Sequence, residues 1–89
     1  MANFILIRHK VRDFNEWKAG FDGHASKRAD AGLSPKYVLR SADDQNEVVV
    51  LVEAADLNRA KAFVGSPELR EAMQSFGVVG KPDVSFLSD

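Results

Sequence analysis

The chain has 89 residues, enough for one domain that hides somewhat over ~60% of the surface its unfolded form would expose. Twelve Lys and Arg against thirteen Asp and Glu leave a formal net charge of −1, and no long block of one sign occurs, which argues against capture of nucleic acid or of an anionic membrane. Cysteine is absent, so disulfides, thiolate zinc sites and thiol nucleophiles are excluded and a reducing compartment fits.

In chain order, the first apolar run, Phe4 to Ile7, is too short for a signal-peptide core or a membrane span, and Arg8, His9 and Lys10 follow it at once. A cytoplasmic protein is expected. Asn3 to Val11 reads as the first strand, rich in Phe and Ile. Asp13 then opens a helix, with Glu16 three residues on in a capping-box-like pattern. Phe14, Trp17, Phe21, His24 and Arg28 recur at spacings of three and four, which puts them on one stripe, and Gly32 supplies the stop. Pro35 to Ser41 is the second strand, Asp43 to Asn46 a turn, and Glu47 to Ala54 the third strand, giving a hairpin. Asp56 caps a short helix carrying Leu57, Ala60 and Val64. Gly65 interrupts it, and Ser66-Pro67 starts another with Leu69, Ala72, Met73 and Phe76 on one face before Gly77. Pro82 to Leu87 is the last strand, and Gly77 to Gly80 reads as helix stop and turn. No repeat or linker divides the chain, so residues 1–89 are expected to form a single domain.

Two strand-helix-strand units joined by a hairpin predict an α+β, ferredoxin-like βαββαβ fold. Strands one and three lie centrally in an antiparallel sheet, and the helices cover one face. The uncovered face of such a sheet should be polar, yet both faces of the central strands are apolar. Val48, Val50, Val52 and Ala54 oppose Val49 and Leu51; Phe4 and Leu6 oppose Ile5 and Ile7. A homodimer packed sheet to sheet is the expected cover.

Among residues that carry chemistry, His9 extends the Ile5, Ile7, Val11 face. It reads either as a histidine at the core margin satisfied by one carbonyl, or as a neutral acid/base group. His24 and Arg28 follow Trp17 and Phe21 on the helix stripe. An aromatic wall with two hydrogen-bonding or cationic tips would suit a phenolate, enolate or carboxylate, whereas the plainer reading has Trp17 and Phe21 in the core and the two tips reaching solvent. Arg40 and Tyr37 fall on opposite faces by parity. Arg40 could meet an anionic substrate, but a salt bridge to Asp43, Asp44 or Glu53 is the preferred reading. Metal-ligand spacings and Gly-rich phosphate loops are absent, and no cofactor or metal is predicted.

His9-Lys10-Val11, Trp17-Lys18, Phe21-Asp22, Leu39-Arg40, the Asp43-Asp44-x-Asn46-Glu47-Val48-Val49 hairpin, Ser66 to Met73 and Gly77-Val78-Val79 resemble the dimeric α+β barrel superfamily. Within it, the match is to antibiotic-biosynthesis monooxygenase-like and cyclase-like bacterial proteins. The resemblance spans nearly the whole chain and implies a sheet-to-sheet dimer with a small-molecule cavity in each subunit. It implies chemistry more loosely, since the superfamily includes cofactor-free oxygenases, haem-binding enzymes, isomerases, dehydratases and proteins without known reaction. The Asn, Trp and Arg set of the oxygenases finds no residue-by-residue match here, and no role is carried over. Two expectations follow. One is a cofactor-independent monooxygenase- or cyclase-like enzyme on a small aromatic or polyketide-like substrate, with His9 or His24 as acid/base and Trp17, Phe21, Arg28 and Arg40 as substrate contacts. The other is a metabolite-binding or interaction module without turnover.

Overall fold

Isoleucines at alternate positions of one strand and valines at alternate positions of another turn one face of each to the interior, and these two strands pair at the centre of the sheet. The computed structural model describes residues 2–89. Its elements are β1 (Asn3–Val11), α1 (Phe14–Gly23), α2 (Ala25–Asp30), β2 (Leu33–Arg40), β3 (Glu47–Ala54), α3 (Leu57–Val64), α4 (Pro67–Ser75) and β4 (Val78–Ser88). The sheet order is β2-β3-β1-β4, antiparallel throughout, which is the ferredoxin-like α+β arrangement. In the central pair Ile5 faces Val52, Ile7 faces Val50 and His9 faces Val48. Ile5, Val48, Val50 and Val52 form the core with Val11, Trp17, Leu33, Ala54 and Ala60, and Ile7 packs half-buried against it.

Local chemistry sets the helix starts. Asp13 accepts from the Asn15 amide at 2.9 Å, Asp56 from those of Asn58 and Arg59 at 2.9 and 3.2 Å, and Ser66 from Leu69 at 3.2 Å with Pro67 in the first turn. Glu16 does not complete a capping box, because its carboxylate turns back to Arg12. The expected single helix from Asp13 to Gly32 is two. His24 leaves helical geometry at φ −97 and ψ 10, so α1 ends and α2 begins around it.

Two strands also have boundaries that differ from the sequence reading. β2 starts at Leu33, two residues early, because Leu33 is buried opposite Ala54 while the Gly32 carbonyl accepts from Ala55 at 2.9 Å. It ends at Arg40 rather than Ser41. β4 starts at Val78 rather than Pro82. Gly77, at φ +87, stops α4, and its carbonyl accepts from Arg12 at 2.8 Å, which docks Val78 and Val79 beside Val11 and Lys10. The cost of that early start is a bulge: Asp83 pairs with Arg8 and Val79 with Lys10, so Gly80, Lys81 and Pro82 stand against His9 alone.

The second face of the sheet carries Leu6 and Leu51, Tyr37 opposite Leu51, Leu39 opposite Val49, and Leu87 opposite Phe4. Tyr37, Leu39 and Leu87 are 60%, 55% and 42% exposed. Among the described residues, no helix is long and apolar enough to cross a membrane.

Candidate functional site

Parity along β1 aims His9 at the helices, and α1 brings its stripe down over the ring. His9 is 5% exposed and Trp17 3%. Their ring centres are 5.4 Å apart and tilted by 57°. Trp17 in turn stacks on Phe21 at 4.9 Å, and the Arg28 guanidinium lies 3.7 Å over Phe21 while donating to the Phe21 carbonyl at 2.5 Å. His24 and Phe76 pack edge to face, with ring centres 5.5 Å apart and planes at 81°.

Five of the six residues singled out from the sequence, His9, Trp17, Phe21, His24 and Arg28, line one chamber of about 70 Å³. The remainder of its wall is almost wholly apolar, from the sheet valines and isoleucines and from Leu69, Met73 and Phe76. Arg40 stands outside it, with its guanidinium 4.3 Å over Phe14. The expected salt bridge of Arg40 does not form among the described residues: Glu53 pairs with Lys36, Asp44 pairs with Lys10, and the guanidinium lies on Phe14 rather than reaching Asp43.

The reading of His9 as satisfied by a carbonyl is overturned: neither Nδ1 nor Nε2 has a hydrogen-bond partner among the described residues. An unpaired buried polar atom costs about 1–3 kcal/mol, a cost that a valine at the same register would avoid. Burial lowers the imidazole from 6.5 to about 4, so the ring is neutral at pH 7. A neutral imidazole offers one donor and one acceptor. In this apolar setting it takes a proton only from a molecule that becomes an anion beside it, since the ion pair offsets the desolvation that an isolated imidazolium would suffer. Burial lowers His24 as well, with Lys27 and Arg28 adding to it. Burial lowers the Arg28 guanidinium, opposed by Asp22, and its Nε has no hydrogen-bond partner among the described residues.

A larger groove of about 460 Å³ lies alongside, between α3, α4 and the β4 bulge. Ile7, Val64, Leu69 and Met73 line both spaces and form the partition between them. This groove was missed in the sequence because Gly77 to Gly80 read as helix stop and turn and Pro82 as the start of the strand; a Gly and a Pro two apart beside a strand are the signal of a bulge.

No protein-family model matches the chain, and no curated protein matches it significantly. Solved structures do. SnoaB, a cofactor-independent oxygenase from Streptomyces nogalater, superposes with a TM-score of 0.76 at 15% identity, covering 99% of this chain and 92% of its own. A proposed antibiotic biosynthesis monooxygenase from Caulobacter crescentus gives 0.73 at 19% identity, over 97% and 87%. Rv0793 from Mycobacterium tuberculosis gives 0.70 at 19%, over 100% and 95%. With TM-scores of 0.70 to 0.76 over nearly the whole of each chain, this chain has the α+β fold of these solved structures.

Proposed function

We propose that this chain is a small-molecule enzyme of the monooxygenase-like kind that works without a bound cofactor, in the cytoplasm, as a homodimer joined through the second face of the sheet. The observation that carries the activity is His9: a neutral, partnerless imidazole at the wall of an apolar chamber with an aromatic side. Unsatisfied buried groups of this kind are rare and concentrate at working sites. The fold likeness to a cofactor-independent oxygenase supports the reaction class.

The chamber, at about 70 Å³, is smaller than the ~150 Å³ cavity that takes benzene, so an aromatic substrate does not fit inside it as it stands. The groove of about 460 Å³ falls within the ~300–1,000 Å³ of small-molecule sites. The substrate body therefore belongs in the groove, and its reacting edge meets His9 once Met73, an unbranched and adaptable side chain, turns out of the partition. His9 accepts a proton from an enolisable or phenolic carbon acid. The resulting electron-rich anion reduces dioxygen; where the reacting centre is a methylene, it becomes a carbonyl and the second oxygen atom leaves as water. Trp17 and Phe21 exclude water from that step. Sheet-to-sheet pairing covers Tyr37, Leu39 and Leu87, which otherwise face solvent.

The test is oxygen uptake with a 1,8-dihydroxyanthrone probe. Wild-type protein should consume dioxygen and release the quinone, and His9→Leu, which keeps the apolar packing, should lose on the order of 100-fold or more. Undiminished turnover in that variant, or recovery of the probe unchanged from the wild-type protein, contradicts the reading; the second result favours a metabolite-binding module.

A further inference from the structure

We propose that the groove between α3, α4 and the β4 bulge binds a small apolar molecule bearing one carboxylate, with Arg70 and Lys81 at the rim as the groups that hold it. The inference rests on the small-molecule reading above and names the class of ligand. The floor of the groove is apolar, made by Ile7, Met73 and Val84 among others, so it takes a hydrophobic body. Every charged residue on its lining is a cation, and no carboxylate lines it. Asp83, the nearest acid in sequence to Lys81, pairs opposite Arg8 on the other face of the sheet. Neither Arg70 nor Lys81 has a carboxylate within ion-pair distance among the described residues; the ion pairs present join Lys10, Arg12, Lys18 and Lys36 to other acids. The cation at the chamber end is already engaged, since Arg28 lies on Phe21 and donates to its carbonyl. Anion recognition therefore falls to the groove rim, where two uncommitted cations line an apolar slot and either can donate charge-assisted hydrogen bonds to a carboxylate.

A matched pair of probes separates charge from shape: 2-naphthoate and its neutral isostere 2-naphthamide. Binding is read by calorimetry and by chemical-shift changes of backbone amides and methyl groups. Naphthoate should bind more tightly than the amide, with shifts at Ile7, Met73 and Val84. The double variant R70Q/K81Q alters two exposed side chains and should weaken naphthoate roughly tenfold while leaving the amide unchanged. Equal binding of the two probes, an unaltered affinity in the double variant, shifts centred on Leu39 and Leu87, or no saturable binding of naphthoate overturns the proposal. Failure of the activity reading looks different: naphthoate still binds through Arg70 and Lys81 while no probe consumes oxygen. In the opposite case, oxygen uptake depends on His9 while naphthoate binding ignores the two cations.

Discussion

An imidazole held away from water by Trp17 makes the fold itself pH-dependent. His9 has a folded-state pKa of about 4 against an ordinary 6.5, so between those values the unfolded chain binds more of the proton than the folded one. Its contribution is fully present above about pH 6.5 and is lost as pH falls toward 4. At about 1.4 kcal/mol per pH unit the whole effect is of order 3 kcal/mol. Denaturant titrations of wild-type protein and His9→Leu from pH 7 to about pH 4.5 should show the wild type losing stability relative to the variant as the solution is acidified. Parallel curves would show that the ring is not desolvated. At this scale the sequence was informative about position and silent about satisfaction. The spacing of three and four put Trp17, Phe21, His24 and Arg28 on one stripe, and alternation put His9 on the face of Ile5, Ile7 and Val11, but only the fold shows that this face meets the stripe at one chamber. Whether a carbonyl would reach His9, or Asp44 would prefer Lys10 to Arg40, depends on which groups the tertiary fold sets within a few ångströms, and no local pattern encodes that.

Elements meet at a glycine whose role the periodicity hides. Gly20 lies in α1 against Phe76, which follows α4, and a methyl built on Gly20 would fall within the Phe76 ring. The aromatic ring therefore sits on bare helix backbone and packs against His24 in the chamber wall. Alanine is ordinarily the better helix residue by up to about 1 kcal/mol, yet the clash should reverse the sign. Gly20→Ala should destabilise by about 1–3 kcal/mol, the usual range for overpacking, and should shift the His24 ring resonances. A gain in thermal midpoint would mean that Phe76 can move aside freely. Element identity followed from caps and periodicity, with Asp13, Asp56 and Ser66 accepting first-turn amides as their positions implied. The boundaries that escaped, the break at His24 and the early start of β4, follow from tertiary partners. Val78 and Val79 are strand because Gly77 and Arg12 dock them on β1, and the three residues left over form the bulge that borders the groove.

For the whole molecule, the apolar character of both sheet faces was legible in the residues of the central strands alone. One set packs beneath the helices as the core, and the other lies on an open face with Tyr37 and Leu39 more than half exposed. In the proposed dimer a second copy covers that face. Light scattering at micromolar concentration should return twice the chain mass of 9.8 kDa, and Leu39→Lys should return the single-chain mass with its secondary structure retained. A wild-type monomer at that concentration would remove the dimer.

The proposed chemistry depends most on a ligand reaching His9, and long-range nitrogen-proton correlation spectra of its imidazole measure that directly. In the free protein the ring should remain neutral from about pH 8 down to about pH 5.5. Saturation with 1,8-dihydroxyanthrone under anaerobic conditions should shift both ring nitrogens, as one accepts from or protonates against the bound hydroxyaromatic. Ring nitrogens that stay fixed while the groove resonances of Met73 and Val84 saturate would contradict the claim that His9 is the reacting group.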